Sequence, residues 1–526
     1  MISSDTRRKL DHYDGREREL TERYGKARWA AWHGRGPNSS IMESAEVLHS
    51  LPKQLDYCKT LRSAATEAGS HMERREVELR LSEALYNRIV RDPRVATESA
   101  RATAEYGAFR YSFDRSTLTS QEMVQAWQSM SGTDPFLSET IYSTYLNQSA
   151  RLQGIIIGVV NAMNQVSMAA GSELGLDVHS FADVILMRNE VSEPEFLGFM
   201  DGIVGQMAST GFRDVLIGTF QTEPTVLNDL MLVNAFLQES CFTNAFPANA
   251  SGAGAYLKHI LRLSGFDAGL INQLGATPYS LDLALDEFAE GNEGALWLGK
   301  GTREYLVGVN PALHQDPRQY LQALFHECGH MLHYDGMNSI ARPAFFKGDT
   351  EAFREAMALS TDRLISERDA VTALGIPEEA IDLVSCISKF LDAARAREFA
   401  IRALLEFNLY SGTEAHDISM LYGKLLRNNP IGAPLSGITL AFQGQSWGAE
   451  SGLAIRPGAS MEYGLAFAFS DSVMAGLQAA GYGSAVHEST AGLLQAYCYG
   501  GLESPPTMRL ESLLQSTGMK RTPTMQ

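Results

Sequence analysis

The sequence lacks the features that would suit it to a nucleic acid, a membrane or an oxidising compartment. Its 526 residues hold 44 Lys and Arg against 62 Asp and Glu, and the net charge of −18 leaves no basic surface for phosphate backbones or anionic lipids. Five cysteines, an odd number without a C-x-x-C pair, favour reduced thiols in a cytoplasmic protein. The charged N-terminus has no apolar signal-peptide core, and no stretch approaches the ~18–20 apolar residues of a membrane span. We therefore expect neither nucleic acid nor membrane as a partner.

Helical periodicity fills most of the chain. Apolar residues make up 44% and charged residues 20%, which is an ordinary globular composition. Gly175 predicts the end of a long helix, and Ser192 predicts the capped start of another. The pattern changes in the short extended runs 293–299 and 304–309, which predict a β-hairpin. The sequence thus predicts a mainly α fold with one small β-hairpin.

The stretch that follows the hairpin carries candidate metal ligands. Residues 321–336 read LQALFHECGHMLHYDG, with apolar residues at helical spacing and a glycine at the end. On a helix His326 and His330 lie on one face about one turn apart, so both imidazoles can reach a single ion. Glu327 lies beside them and can polarise a metal-bound water. This H-E-x-x-H arrangement is typical of zinc hydrolases.

A third ligand is predicted on the next helix, over residues 350–365. A carboxylate from that helix would give a His-His-Glu site with an open water position, as a catalytic zinc needs. Glu355 is the first candidate, and Glu351, one turn earlier, competes with it. Asp362, two turns after Glu355 on the same face, can orient a metal ligand by a hydrogen bond without binding the ion itself.

Two further side chains of the histidine helix need an interpretation. His333 shares a face with His326 but lies about one turn (~5.4 Å) too far along for the same ion, so we predict a supporting or buried hydrogen-bonding role. Cys328 projects about 100° per residue around the helix from its neighbours, and we predict core packing for it rather than ligation.

Taken together, these pieces resemble the thimet oligopeptidase and oligoendopeptidase F family of zinc metallopeptidases. FHECGHMLH is similar to the family's H-E-x-G-H-x-x-H helix, and Glu355 and Asp362 fall where the family spaces its glutamate ligand and a later acidic residue. Residues 159–203 resemble a passage of the family's N-terminal lobe. The ending YGGLESPPTMRLESLLQSTG resembles the family's G-G-S-x-S-P-x-E-L-L terminus. The likeness covers most of the chain after residue 150.

The resemblance implies a two-lobed helical ellipsoid with a deep central channel and one zinc ion at its floor. Residues 1–205 would form the N-terminal helical lobe, and residues 206–526 the catalytic lobe with the zinc helix and the small β-hairpin. His326, His330 and Glu355 would bind the zinc, and Glu327 would be the general base. The channel would restrict the substrates to short unstructured peptides.

The sequence departs from the family's pattern on the oxyanion side. Ala358 stands where the family usually has serine. The family places a histidine and closely spaced tyrosines in a glycine-rich loop and the helix after it, where they hydrogen-bond the oxyanion. Residues 437–486 contain no histidine, and the helix offers Tyr463 with Phe467 and Phe469 beyond it. Losing one such donor typically costs ~10²–10³ in rate. The resemblance leaves Tyr463 as the candidate oxyanion donor.

These departures leave alternatives open. The missing donor could be another group, namely Tyr497, Tyr499 or His487. The chain could also be a dedicated peptide-maturation or tailoring enzyme of a biosynthetic pathway, or a peptide-binding protein with little turnover. Non-haem iron oxygenases use two histidines and one carboxylate as well, but an H-E-x-x-H helix with its own base favours hydrolysis. Manganese or cobalt could replace zinc in such a site.

Overall fold

Helices make up nearly all of the described structure. The computed structural model describes residues 1–32, 55–130, 134–206, 250–266, 281–284, 294–297, 305–309, 317–337, 350–427 and 446–478, with isolated positions at 43, 47, 50, 246–247, 486, 490–492 and 494. The helices are α1 (Ser4–Trp32), α2 (Leu55–Glu67), α3 (His71–Val90), α4 (Pro93–Ala108), α5 (Ser120–Met130), α6 (Pro135–Ser149), α7 (Gln153–Leu174), α8 (Phe181–Arg188), α9 (Glu193–Gln206), α10 (Ala250–Leu263), α11 (Pro317–Met337), α12 (Glu351–Asp362), α13 (Arg368–Thr372), α14 (Glu378–Tyr410), α15 (Ala415–Arg427), α16 (Gly452–Ile455) and α17 (Ala459–Leu477). The strands are β1 (Tyr111–Phe113), β2 (Ser116–Leu118), β3 (Leu281–Ala284), β4 (Gly294–Trp297) and β5 (Tyr305–Gly308).

Local signals fix several helix ends in the first half of the chain. α7 ends at Gly175, whose φ of +74° lies in the left-handed region that favours glycine. α9 begins after Ser192, whose backbone N–H donates to the Glu195 carboxylate while the Glu195 N–H donates to the Ser192 hydroxyl. Both ends lie where the sequence predicts them.

The predicted hairpin is present and belongs to a three-stranded sheet. β4 and β5 pair antiparallel, with Leu296 opposite Leu306. β3 adds to the other edge of β5 in parallel, giving the order β3-β5-β4. β4 and β5 pack against α11. The prediction missed β3 and the separate β1–β2 hairpin, because strands of three or four residues are too short to show a clear alternation of apolar and polar positions.

Four helices of the described structure pack against one another in series. α12 packs against α11 and α17, and the 33-residue α14 packs along α17. Their facing side chains belong to one continuous apolar core that also includes the N-terminal helices α3, α7 and α8. The mainly α fold with a small sheet beside the histidine helix is therefore confirmed.

One apolar segment differs from the sequence expectation. By length and composition alone, the helical run Phe136–Leu174, which comprises α6, a 3₁₀ turn and α7, is long and apolar enough to cross a membrane. Half of its most apolar window is buried inside the protein, and α7 packs against α3 and α4. The expectation that no stretch approaches that length is therefore wrong, and the hydropathy of the segment reflects its burial in the core.

Candidate metal centre

The site forms where α11 crosses α12. The crossing is close because Gly329 has no side chain, and a Cβ built there would lie 2.6 Å from Ala358 Cα and 2.9 Å from Thr361 Oγ1. Real Cβ atoms essentially never approach this closely. Gly329 lies one residue before His330 and three after His326, so its contact with α12 brings both imidazoles to that helix.

Glu355 of α12 lies between the two imidazoles. Its Oε2 is 3.2 Å from His326 Nε2, and its Oε1 is 3.5 Å from His330 Nε2. The two rings are perpendicular, with centroids 4.9 Å apart. Neighbouring ligand atoms around a tetrahedral zinc with bonds of ~2.0–2.1 Å would be about 3.3 Å apart. The three side chains therefore have the donor atoms and the spacing that can hold a metal ion.

Asp362 is in contact with the opposite side of the first imidazole. His326 Nδ1 is 3.2 Å from Asp362 Oδ2, and the carboxylate is 1% exposed. The Nδ1–H of His326 donates to this carboxylate, which leaves Nε2 as the ring nitrogen that can bind a metal once a metal ion displaces its proton. The ring is then oriented with its ligand atom towards Glu355.

The electrostatics differ between the two histidines. Burial lowers the pKa of His330 to about 4, so its imidazole is neutral at pH 7. Burial also opposes protonation of His326, but hydrogen bonds to Asp362 and Glu355 outweigh it and raise the pKa of His326 to about 10. Burial opposes ionisation of Glu355, whereas the neighbouring His330 and His326 lower the pKa of Glu355 to about 2. The carboxylate that faces both rings is therefore ionised.

Glu327 and Glu351 lie at different places around this set. One carboxylate oxygen of Glu327 and one nitrogen each of His326 and His330 all lie within 4.8 Å of one another. Glu351 is half-buried in the first turn of α12 and forms an ion pair with Arg354, with Oε2 and Nη2 2.5 Å apart. The carboxylate that contacts both histidines is Glu355, and not its competitor one turn earlier.

The remaining predicted residues of α11 are buried. His333 is fully buried and packs edge-to-face on Phe353 of α12, with ring centroids 5.5 Å apart. Cys328 is a fully buried free thiol, and burial raises its pKa well above the ordinary value, which suits core packing.

Tyr463 lies in the first turns of α17, which packs against α12. Its ring stacks on Phe399 of α14, with centroids 5.1 Å apart. Burial raises the pKa of Tyr463, and the negative charges of Glu355 and Glu351 raise it further. The hydroxyl therefore stays protonated at pH 7. The alternative donors named above, His487, Tyr497 and Tyr499, lie outside the described residues.

Two buried glutamate side chains hold the start of α17. Glu406 of α14 accepts hydrogen bonds from the backbone N–H groups of Gly458 (2.6 Å) and Met461 (3.0 Å). Glu462 forms a buried ion pair with Arg188 of α8, with Oε1 and Nη1 2.5 Å apart. Both contacts are long-range, and together they fix the turn that carries Tyr463.

A cavity of about 850 Å³ opens at the end of α11, and its lining does not include His326, Glu327, His330, Glu355 or Tyr463. One wall comes from α1, α3 and the start of α4, and the other from the end of α11, the first turn of α12 and the start of α17. It begins one helical turn beyond His330, at Tyr334 and Met337. Its volume lies in the range of about 300–1,000 Å³ that is typical of small-ligand pockets.

Arg395 of α14 is a site residue that the sequence did not indicate. Its Nη1 donates to Asp362 Oδ2 at 3.3 Å, the same oxygen that His326 Nδ1 contacts. The segment LDAARAREFA around it reads as an ordinary charged helix, and no spacing relates it to the histidines. Only the packing of α14 against the other helices brings it to the site.

The fold is similar to those of known peptidase structures. A protein assigned as an oligoendopeptidase F shares 14% sequence identity and a TM-score of 0.60, over 90% of this chain and 81% of its own. PZ peptidase A with an inhibitor shares 12% sequence identity and a TM-score of 0.57, over 98% of this chain and 94% of its own. A carboxypeptidase of Pyrococcus furiosus shares 11% sequence identity and a TM-score of 0.54, over 98% of this chain and 96% of its own. The fold is shared with these proteins. No protein-family model and no curated protein matches the sequence.

Proposed function

We propose that the chain is a zinc-dependent oligopeptidase that hydrolyses peptide bonds in short unstructured peptides. The observation that carries the proposal is the position of Glu355, whose two oxygens lie 3.2 and 3.5 Å from the Nε2 atoms of His326 and His330. Two imidazoles and one carboxylate at this spacing suit a catalytic zinc with an open position. The similarity of the fold to solved peptidases supports the choice of reaction.

The protein side chains would divide the reaction between them. Zinc in such a site supplies Lewis acidity and lowers the pKa of a bound water to about 7. Glu327 would take the proton of the attacking water and later give it to the leaving amine. Tyr463, protonated at pH 7, would donate a hydrogen bond to the carbonyl oxygen as negative charge develops there. The 850 Å³ cavity, which begins at Tyr334 one helical turn beyond His330, would hold part of the peptide.

Several features of the proposal come from the sequence alone. They are the cytoplasmic location, the supporting role of His333 and the division into an N-terminal lobe (1–205) and a catalytic lobe (206–526). Zinc is proposed over manganese or cobalt because two imidazoles and one carboxylate are a common zinc set, although affinity for such sites is shared among these metals.

A mixed pool of peptides of about 5–20 residues, analysed by mass spectrometry after incubation with the zinc-loaded protein, tests this function. We expect the wild type to cut peptides and Glu327→Gln to bind zinc without cutting, because the amide cannot accept the proton. The ligand assignment has a matched pair of variants on one helix. Glu355→Gln should lose zinc, whereas Glu351→Gln, which removes the ion pair with Arg354, should keep it. Equal zinc affinity in these two variants would contradict the ligand set.

A second candidate is a peptide-binding protein with little turnover. It is favoured by Phe467 and Phe469 of α17, which are fully or almost fully buried and offer no hydrogen-bond donor to an oxyanion. In that case the zinc-loaded wild type would retain peptides from the pool without releasing products. A dedicated maturation enzyme would instead cut its own substrate and leave the pool intact.

A further inference from the structure

We propose that Arg395 is a positioning residue of the metal centre, which acts on His326 through the carboxylate of Asp362. The inference rests on the proposed function, since it concerns the ligand set of that site. Arg395 is 33 residues beyond Asp362 and lies on α14, a helix that supplies none of the proposed ligands.

The first step is the burial of Asp362. Its side chain is 1% exposed, and an ionised carboxylate at that depth needs a compensating charge and hydrogen bonds. Arg395 Nη1 lies 3.3 Å from its Oδ2 and supplies both.

The second step is that both contacts meet on one oxygen. Oδ2 is 3.2 Å from His326 Nδ1 and 3.3 Å from Arg395 Nη1. Rotation of the carboxylate away from the imidazole would therefore also break the contact with the guanidinium. Arg395 thus locks the orientation of the group that fixes the His326 tautomer, and with it the direction of Nε2.

The third step is the rigidity of Arg395 itself. Its guanidinium carbon lies 5.7 Å from the centre of the Phe467 ring of α17, a distance at which a cation and an aromatic face attract. The side chain is 37% exposed, so it spans from the protein surface to the buried carboxylate. One side chain thereby connects α14 and α17 to the ligand helices α11 and α12.

The zinc dissociation constant, measured by competition with a chromogenic chelator, tests this chain of contacts without using activity. Asp362→Asn should raise the zinc dissociation constant by about 10- to 100-fold, as is typical when a residue that hydrogen-bonds a metal ligand is changed. Arg395→Met should raise the zinc dissociation constant by about 3- to 10-fold, because Arg395 acts on the ligand His326 only through Asp362. Arg395→Lys, which keeps the charge, should recover most of the loss.

The double variant separates an effect through Asp362 from a general loss of packing. In the Asp362→Asn background, Arg395→Met should change zinc affinity by less than about twofold, since the group through which it acts is already altered. Arg402→Met is the matched control on the same helix. Arg402 pairs with Glu398 and Glu450 and not with Asp362, so its loss should leave zinc affinity unchanged.

The inference is overturned if Arg395→Met binds zinc as the wild type does, if it weakens zinc equally in both backgrounds, or if Arg402→Met has the same effect. A wild type that binds no zinc would overturn the proposed function as well. A wild type that binds zinc and cleaves no peptide removes the peptidase proposal but leaves the comparison of zinc affinities valid for Arg395.

Discussion

Replacing Gly329 with alanine tests the geometry on which the metal centre depends. A Cβ at this position would lie 2.6 Å from Ala358 Cα, whereas carbon atoms in contact prefer about 3.5–4.0 Å. The partner atom is backbone, so it cannot rotate away as a flexible side chain could. The two helices would have to separate by roughly 1 Å, which is the difference between these distances.

The same displacement would act on the ligands, because they lie on the two helices that separate. The gaps of 3.2 and 3.5 Å from Glu355 to the two imidazoles would widen to about 4 Å or more. Metal–ligand distances tolerate only about 0.2 Å. We therefore expect Gly329→Ala to lower the affinity for zinc at least about tenfold, which is equivalent to about 1.4 kcal/mol of binding free energy. The free energy of unfolding of the apo protein should fall by about 0–2 kcal/mol, since an overpacking cost of about 1–3 kcal/mol is offset by about 1 kcal/mol of helix propensity.

The assay is chelator competition for zinc affinity, with urea unfolding of the apo protein measured beside it. Gly15→Ala is the matched control, because Gly15 also lies inside a helix and a Cβ there would meet no atom within 4 Å. We expect that control to keep zinc affinity and to gain up to about 1 kcal/mol of stability. Wild-type zinc affinity in Gly329→Ala would refute the reasoning, since the helices could then separate without moving the ligands.

Three further predictions concern α17 and its supports. Tyr463→Phe should lower kcat by about 10²–10³ with zinc affinity unchanged, as measured by peptide cleavage, and a loss below about threefold would exclude it as the oxyanion donor. Glu462→Gln breaks the buried ion pair with Arg188 and should lower the free energy of unfolding in urea by about 3–5 kcal/mol, whereas a loss below 1 kcal/mol would mean that water reaches the pair. Burial raises the pKa of Glu406 to about 8, against about 4.3 in the unfolded chain. Between about pH 4.3 and about pH 8 the folded state therefore holds one more proton than the unfolded state, and the free energy of unfolding falls as the pH rises through this range. Glu406→Gln should flatten that slope in unfolding curves from pH 5 to pH 8, and an unchanged slope would assign the dependence to other groups.

The sequence predicted the parts of the site that depend on local spacing. The four-residue interval between His326 and His330 places both imidazoles on one helix face whatever the rest of the chain does. The choice between Glu355 and Glu351 could not be made in this way, because both lie on the side of α12 that an i, i+4 pattern defines. The crossing at Gly329 decides which of the two carboxylates the imidazoles meet.

The parts that the sequence did not predict depend on contacts between distant segments. Arg395 reaches Asp362 only because α14 packs against α17 and against the 3₁₀ turn that follows α12, and nothing in its neighbourhood in the sequence marks it. The parallel strand β3 is too short to show an alternation of its own, and its partner β5 lies more than twenty residues later, so nothing local marks it either. Ala358, in place of the serine that the resemblance leads one to expect, is fully buried at the helix crossing, where a hydroxyl would need its own hydrogen-bond partner.

The two halves of the proposed mechanism rest on different helices, and this separates the possible outcomes. The proposed zinc ligands and their supports come from α11, α12 and α14, and the contacts between these side chains are close. Stabilisation of the oxyanion would come from α17, where Tyr463 is followed by two buried phenylalanines. If the ligands are misassigned, Glu355→Gln will not affect zinc binding. If only the oxyanion side has changed, zinc and peptides will bind normally while cleavage is slow. Slow cleavage with intact zinc binding would therefore point to a specialised or binding role and would not argue against the metal centre.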